Sequence, residues 1–387
     1  MISMLRNGFG FARTLTILLT AGVALAIASH AVSAQEAWEA EWKELQARAK
    51  AEGKLAVALG GASSRDLRPI YQEFEKKFGI KVSLGGGQGS LVTSRLLSER
   101  ANGVYNLDLI QIGVGSVNEV LLPNDVLAPI PPLFLLPEVK DESKWLDGHH
   151  WWGDPKTKQY VFCYVLPQGD TGIAINTKLV NPADINSYWD VLDKKYDGKR
   201  MSGDMGLSVG AHTVATMWMM VGKDWLRRWV TEAKPQFSSD SDVMMNWLIT
   251  GRYGIAMFMG GRAESAQLDD LAAKGAPVLR MTKIMKEGAD ANPGSSGNFA
   301  FLKNAPNPNA TKLFVNWFLS KEGQLFMQTK FPQGDSLRID IPKDMLDPEA
   351  RREVGVKYRV LTTETDYQDV LKESTKYVED LKRSMKK

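Results

Sequence analysis

Three short apolar segments alternate with two amphipathic ones near the start of the chain, and this alternation constrains the fold most. The apolar segments are KLAVALG, IKVSLG and LDLIQIG, all within residues 54–113. Each is short enough for a buried strand, and the amphipathic segments between them have helical spacing. The first amphipathic segment places five apolar residues on one helical face: Leu67, Ile70, Tyr71, Phe74 and Phe78. This β-α-β-α-β order predicts a parallel sheet with helices on both faces.

The first 34 residues have the pattern of a secretory signal peptide. Arg6 and Arg13 provide positive charge, an apolar run extends from Leu15 to Ala28, and small residues precede a cleavage point at Ala34. The apolar run is shorter than the roughly 20 residues that a membrane-spanning helix needs, which disfavours an anchor. We expect cleavage near Ala34 and export of the chain.

Charge and cysteine content exclude several classes of protein. Removal of the signal segment takes two arginines from a formal net charge of +3, so charge does not argue for nucleic-acid binding. Cys163 is the only cysteine, so an internal disulfide is impossible and the exported chain must be stabilised by its core. A chain of 387 residues predicts about two domains. We expect a monomer without a cofactor.

The later segments continue the α/β pattern after a less regular middle, residues 123–169. TGIAINTKLV predicts a strand and turn, and INSYWDVLDKKYDGK predicts a helix and loop. AHTVATMWMMVGKDWLRRWVTEA is helical in pattern and strongly apolar on one side. SDVMMNWLITGRYGIAMFMGG predicts a helix, a tight turn and a strand. SGNFAFLKNAPNPNATKLFVNWFLSKEGQLFMQ predicts a strand, a loop and one amphipathic helix.

Three sequence motifs follow one another along the chain. The first contains Phe74, Gly79, Ile80 and Val82, followed by a glycine-containing loop that opens a helix. The second is NTKLV followed by SYWDVLDKKYDGK, and the third is NAPNPNATKLFVNWFLSKEGQ. Together they extend over most of the chain beyond the signal segment, and in this order they resemble the motifs of type II periplasmic binding proteins. The branch they resemble most is the iron(III)-transport-like family of solute receptors for ABC importers.

The resemblance implies an α/β fold of two lobes, joined by crossing strands, with the ligand cleft between them. Lobe 1 is then discontinuous, residues 35–165 with 297–345, and lobe 2 is residues 166–296. The crossings fall near residues 164–174 and 278–300, and residues 346–387 form a C-terminal helical segment. The lobes are expected to close on the ligand by a hinge. The implied partners are a small-molecule ligand and an ABC permease in the inner membrane, with no nucleic acid.

Glycine- and serine-rich turns follow the predicted strands of lobe 1. Ligands of open α/β sheets bind at the carboxyl ends of strands, where helix N-termini favour anions. The turns LGGASSRD, LGGGQGSLV and QIGVGSVNE therefore provide candidates for ligand contact. Ordinary strand-to-helix turns are the alternative interpretation, because glycine and serine are common there. The lobe 1 candidates are Ala62, Ser63, Ser64, Gln88, Gly89, Ser90, Gly115 and Ser116.

Further candidates come from the hinge and from lobe 2. The family's crossing segment places Tyr164 and Thr171 near the hinge, and SGDMGLSVGAHT offers Ser208 and Thr213 from lobe 2. His149 and His150 are adjacent in an extended segment, so they point to opposite faces and rarely bind one metal ion. We therefore predict no metal site.

The segment MFMGGRAES departs from the iron-binding members of the family. Those members have adjacent tyrosines at about this point, whereas this chain has Met259, Gly260, Gly261 and Arg262. Ferric iron prefers phenolate and carboxylate oxygen, and thioether sulfur is a poor substitute. The two glycines expose backbone, and Arg262 offers a planar fork for carboxylate or phosphate, unless it forms a surface ion pair. This segment argues against direct iron binding, though not against an iron chelate.

The predicted function is that of a periplasmic substrate-binding component of an ABC importer. Its predicted ligand is an organic carboxylate or a phosphorylated anion, and the alternative ligand is ferric iron or an iron chelate. An exported hydrolase is the alternative from another class. That alternative is disfavoured because the sequence has no Gly-x-Ser-x-Gly elbow, no Walker loop and no His-Glu-x-x-His motif.

Overall fold

A computed structural model describes most of the chain beyond its N-terminal segment. The described residues are 37–60, 67–166, 171–205, 209–259, 262–290, 296–353, 355–356, 358–361, 364 and 366–385. The predicted signal peptide lies outside these ranges. Six of the predicted site residues also lie outside them, namely Ala62, Ser63, Ser64, Ser208, Gly260 and Gly261.

Sixteen strands occur in the described residues, and most are short. In chain order they are β1 Lys54–Gly60, β2 Lys81–Gly87, β3 Leu109–Gln111, β4 Leu127–Ala128, β5 Trp151–Trp152, β6 Val161–Cys163, β7 Val165–Leu166, β8 Ile173–Asn176, β9 Arg200–Gly203, β10 Gln236–Ser238, β11 Ile255–Met257, β12 Val278–Arg280, β13 Ala289–Asp290, β14 Asn298–Leu302, β15 Asp335–Ser336 and β16 Tyr358–Arg359.

The α-helices alternate with these strands. They are α1 37–52, α2 Arg68–Phe78, α3 Gly89–Ala101, α4 Val114–Ser116, α5 Pro137–Lys140, α6 Val209–Met220, α7 Lys223–Arg228, α8 Ser241–Ile249, α9 Arg262–Ala273, α10 Pro308–Leu319, α11 Lys321–Lys330 and α12 Tyr367–Ser384. Short π-helical segments continue α4 and α7, at Val117–Leu121 and Trp229–Ala233. Within the described part of the chain, no helix combines the length and apolarity needed to cross a bilayer.

The larger sheet confirms the predicted β-α-β-α-β order. Its strand order is β2-β1-β3-β14-β6-β5, with β4 beside β14. β1 lies parallel to β2 and β3, so Val57 is in register with both Leu84 and Leu109. β14 is antiparallel to β3 and β6 and comes from far later in the chain. This sheet, with its covering helices, forms lobe 1.

Alternating residues of β1 pack into two different core clusters. Leu55, Val57 and Leu59 pack in the cluster that also contains Phe74 of α2 and Phe314 of α10. Ala58 packs in a second cluster, with Val92 and Leu96 of α3. Since successive side chains of a strand point to opposite faces, helices cover both faces of this sheet.

The smaller sheet forms lobe 2 and has the order β10-β9-β11-β8-β12. β9 is parallel to both β10 and β11, while β8 is antiparallel to β11 and β12. Ile255 and Met257 of β11 pack in one core cluster, and Ala256 between them packs in another. Lobe 2 is thus also an α/β layer structure with a covered sheet.

Two-stranded ribbons form where the chain passes between the lobes. β7, which leaves lobe 1, pairs with β15, and β13, which returns from lobe 2, pairs with β16. Both partner strands belong to the C-terminal part of the chain. That part then crosses to lobe 2, where α12 packs along α6, with Tyr377 against Trp218 at a ring-centroid distance of 5.4 Å.

Two helix predictions were wrong. The segment 185–199 forms single 3₁₀ turns, Asp190–Leu192 and Lys194–Tyr196, instead of an α-helix. The carboxylates of Asp190 and Asp193 accept hydrogen bonds from nearby backbone N–H groups, which competes with helical bonding. The predicted single helix after residue 307 is two helices, because Ser320 ends α10 and caps α11. α10 is also buried on nearly all sides rather than amphipathic.

Substitution of Gly86 by alanine should test the packing of β2 against β1. A Cβ atom at Gly86 would lie 2.0 Å from the backbone oxygen of Leu59, so the strands would have to separate. We expect Gly86→Ala to lower the free energy of unfolding by about 2 kcal/mol in a urea titration. Gly85→Ala is the matched control, since its Cβ would meet no atom within 4 Å. Equal stability of the two variants would contradict this account.

Candidate functional site: the cleft between the lobes

Two of the predicted turns lie side by side on lobe 1. α3 begins at Gly89, and Gln88 makes no side-chain cap to its N-terminus. A Cβ atom at Gly89 would lie 2.9 Å from Ser116 Oγ, so this turn contacts the one that follows β3. Gln88 and Ser90 are exposed. The structure therefore brings Gln88, Gly89 and Ser90 together with Gly115 and Ser116.

Glu119, which was not among the ligand-contact residues predicted from the sequence, adds a carboxylate to this surface. It lies in the π-helical segment that continues α4, and its side chain is exposed. Its Oε1 lies 3.4 Å from the position that a Cβ of Gly115 would take. An acidic group thus borders the glycine turn that was predicted to contact ligand.

In lobe 2, the end of β9 packs closely against the backbone that follows β11. A Cβ atom at Gly203, the last residue of β9, would lie 1.9 Å from the carbonyl oxygen of Phe258. Phe258 follows β11 with a φ of 57°, and its N–H donates to the oxygen of Gly172 at 2.8 Å. A left-handed conformation is uncommon for an aromatic residue and often marks functional sites. It directs the chain after β11 to the edge where β9 ends.

Arg262 is the first residue of α9, just beyond this strained position. Asp269, a carboxylate farther along α9, is paired with Arg280 at 2.8 Å. The role of Arg262 in ligand contact stays a prediction.

Tyr164 lies in a buried hydrogen-bonded chain at the first crossing. Tyr71 donates to Gln111 Oε1 at 2.5 Å, Gln111 Nε2 donates to the Tyr164 oxygen at 2.8 Å, and Tyr164 donates to the backbone oxygen of Ser296 at 2.5 Å. Burial raises the pKa of both tyrosines well above the ordinary value, so they remain protonated donors. In this structure the Tyr164 hydroxyl connects the outgoing crossing to the returning one.

Thr171 makes a similar connection on the lobe 2 side. Its buried hydroxyl donates to the oxygen of Met281 at 2.5 Å, and its own carbonyl accepts from the Tyr188 hydroxyl at 3.1 Å. The hydroxyl of Thr171 is therefore engaged within the protein, and the location of this residue near a hinge stays a prediction. Thr213 is half-buried in the first turn of α6, beside the exposed His212.

Asp290 on β13 lies where the C-terminal segment meets lobe 2. Its carboxylate accepts a hydrogen bond from the Leu361 N–H at 3.2 Å, and Thr216 Oγ1 is 3.5 Å from its other oxygen. Desolvation in this packed region raises the pKa of Asp290 to about 6, despite these bonds and the positive charge of Arg359. Sequence reasoning missed this group because its partners come from separate segments.

Of the two adjacent histidines, His150 is buried in lobe 1 and His149 is exposed. His150 Nε2 lies 2.9 Å from the oxygen of Val139, and burial lowers the pKa of this imidazole. Trp152 packs edge-on against Phe162 at a centroid distance of 5.2 Å. Among the residues that the structure describes, no group of three or more His, Cys, Asp and Glu side chains is placed to hold a metal ion.

The raised pKa of Asp290 predicts a pH effect on stability. An unfolded aspartate ionises near its ordinary value, so ionisation of Asp290 increasingly costs the folded state as pH rises toward 6. The Tm of the wild-type chain should fall relative to Asp290→Asn between about pH 4 and pH 7, with most of the change complete by the upper end. Asp369→Asn, at an exposed position of α12, is the control and should follow the wild type. Parallel Tm curves for wild type and Asp290→Asn would refute the assignment.

The sequence profile of the family described as bacterial extracellular solute-binding protein matches residues 33–325. The chain therefore belongs to this family. It is a solute-binding component of an ABC transporter and not an enzyme. Among curated protein sequences, none matches the chain significantly.

Solved structures of two-lobed binding proteins share this fold. The Bordetella ferric binding protein is 16% identical with a TM-score of 0.61, covering 85% of this chain and 98% of its own. A Trichodesmium protein (IdiA, FutA) in complex with iron and citrate is 17% identical with a TM-score of 0.59, at 85% and 99% coverage. The periplasmic binding protein AfuA from Actinobacillus pleuropneumoniae, with fructose 6-phosphate bound, is 18% identical with a TM-score of 0.55, at 84% and 99% coverage. The predicted type II periplasmic binding protein fold is confirmed.

Proposed function

We propose that this chain is a periplasmic receptor that captures ferric iron as an anionic chelate with an organic carboxylate such as citrate. It then delivers the chelate to its ABC permease. This cargo combines the two predictions made from the sequence, an organic anion and, as the alternative, an iron chelate. The proposal includes export with cleavage near Ala34, and a cleft bounded by the lobe 1 turns and the facing edge of lobe 2.

The observation that carries the proposal is the contact between two helix-start turns of lobe 1. Gly89 lies against Ser116, so the uncapped N-terminus of α3 and the turn after β3 present one continuous surface. Helix N-termini favour negative charge, and glycines let backbone N–H groups approach a ligand. Carboxylate oxygens of a chelate match these backbone N–H groups, and the Glu119 carboxylate beside Gly115 favours a ligand that also carries a metal cation over a free anion.

The cargo class follows from the relatives and from the tyrosine distribution together. Two of the compared proteins are a ferric binding protein and a complex with iron and citrate, which favours iron as cargo. None of the ten tyrosines of this chain is adjacent to another in the sequence. The chain therefore lacks the adjacent tyrosines of the iron-binding family members, whose phenolates suit ferric iron. A chelate supplies most iron ligands itself, which resolves this conflict.

A phosphorylated sugar is the second candidate, because AfuA is described with fructose 6-phosphate bound. A phosphate group would use the same helix-start turns of lobe 1 as a carboxylate. In both cases the lobes close about β7 and β13, whose pairing with β15 and β16 supports the crossings during the motion.

A thermal-shift screen of the exported chain tests the cargo. The panel is ferric citrate, citrate alone, ferric chloride, fructose 6-phosphate and glucose. We expect ferric citrate to raise Tm, with stabilisation of about 2.7 kcal/mol at ~100 times the dissociation constant. A response to fructose 6-phosphate alone would favour the second candidate. A response to ferric chloride without citrate would refute the chelate.

A single charge substitution distinguishes an anionic chelate from a free cation. Ser90→Asp adds a carboxylate to the exposed first turn of α3, where it favours the helix itself. We expect affinity for ferric citrate in calorimetry to fall about tenfold or more, through like-charge repulsion, while Tm is unchanged or higher.

Ser98→Asp is the matched control, because it adds the same charge at an exposed position near the other end of α3. It should leave the affinity for ferric citrate unchanged. Tighter binding of ferric iron by Ser90→Asp would indicate a cationic cargo instead.

A further inference from the structure

The first turn of the C-terminal helix α12 lies between the two lobes. Lys382, near the far end of the helix, pairs with Asp204 of lobe 2 at 2.9 Å, and Val378 packs in the lobe 2 core. At its start, Gln368 Nε2 donates to Glu119 Oε1 of lobe 1 at 2.8 Å. Residues at the beginning of α12 therefore face both walls of the cleft.

Tyr367, the residue before Gln368, contacts His212 of lobe 2. The Tyr367 oxygen is 2.6 Å from His212 Nδ1, and the two rings are nearly parallel, at 11°, with centroids 6.0 Å apart. Tyr367 is buried, with 2% of its surface exposed, whereas His212 is exposed in the first turn of α6. A fixed aromatic side chain thus orients a solvent-facing imidazole.

The surroundings of Tyr367 keep its hydroxyl protonated, so this hydroxyl can donate to His212 Nδ1. Burial raises the pKa of this phenol, and the negative charges of Asp290 and Glu119 raise it further, so the hydroxyl keeps its proton. A phenol that donates to Nδ1 selects the imidazole tautomer with hydrogen on Nε2. The exposed edge of His212 is then a hydrogen-bond donor.

The position of this donor relates it to the cleft. His212 is in the first turn of α6, which follows β9 at the edge where Gly203 meets Phe258. Across the cleft lies the lobe 1 surface that contains Gly115 and Glu119, to which Gln368 is bonded. The imidazole therefore lies on the lobe 2 side, near the lobe 1 turns assigned to the anionic cargo.

We propose that His212 contacts the cargo by donating its Nε2–H to a carboxylate or phosphate oxygen, and that Tyr367 of the C-terminal helix is its positioning residue. The inference rests on the proposed anionic cargo. It assigns to the C-terminal helix a part in ligand affinity, in addition to its packing on lobe 2. Glu119, held by Gln368, faces the same space and would disfavour ligands with excess negative charge there.

Calorimetry with ferric citrate, citrate alone and fructose 6-phosphate tests the contact. We expect His212→Ala to weaken whichever of these probes binds the wild type by about tenfold or more, the loss typical of a hydrogen bond to a charged group. His149→Ala is the matched control, since His149 is an exposed histidine that contacts His150 and Trp151 of lobe 1. It should bind as the wild type does.

Unchanged affinity in His212→Ala would overturn the contact while leaving the proposed function intact. If none of the three probes binds the wild type, the proposed function fails, and the cargo contact fails with it. These two failures are therefore distinguishable in the same set of titrations.

Nitrogen-15 spectra of the imidazoles test the positioning role without any ligand. His149, His150 and His212 are the only histidines after the signal segment, so His212→Ala assigns its signals by loss. We expect the wild type to show the Nε2–H tautomer at His212 and Tyr367→Phe to show a mixture. Tyr367→Phe should also weaken binding several-fold, and adding it to His212→Ala should have no further effect. Unchanged His212 signals in Tyr367→Phe would overturn the positioning role.

Discussion

The pairing of β14 with β3 and β6 is the interaction on which the rest of the structure depends. β14 lies in the middle of the lobe 1 sheet, yet it is reached only after the whole of lobe 2. Its backbone bonds, together with the amide of Asn298 that donates to the Ile112 oxygen at 3.0 Å, join the two ends of lobe 1. Lobe 2 is thereby anchored at both of its ends, and the space between the lobes becomes a defined cleft.

The two crossings differ from ordinary linkers because each is paired and bonded. β7 pairs with β15 of lobe 1, and β13 pairs with β16 of the C-terminal segment. Tyr164 and Thr171 bond the outgoing chain to the returning one. In the proposed closure on cargo, such bonds would restrict the relative motion of the lobes to bending about the paired strands. This restriction would help a receptor that closes on cargo. Freedom of motion lost on closure reduces the binding free energy, and freedom that is already restricted cannot be lost. The C-terminal segment, which lies outside the bounds of both lobes, contributes β16 to this restriction.

The sequence determined the local elements and the class of protein. Apolar runs of strand length, helices with one apolar face and the terminating Gly79 were sufficient to predict the parallel part of lobe 1. The ordered motifs led to the family that the sequence profile shows. The two wrong helix predictions had local causes. Asp190 and Asp193 bond their own backbone, and Ser320 interrupts a helix whose apolar pattern continues on both sides.

What only the tertiary structure decided is which distant residues meet. The contact of Gly89 with Ser116 was within reach of the sequence, since both turns follow neighbouring parallel strands. The pairs His212–Tyr367 and Glu119–Gln368 were not, because 155 and 249 residues separate them and no periodicity relates them. Periodicity reports the face on which a residue lies, whereas a bond across the cleft depends on how complete elements pack. The local elements and the family were therefore set by the sequence alone, and the arrangement of polar groups around the cleft by the crossing of the chain between the lobes.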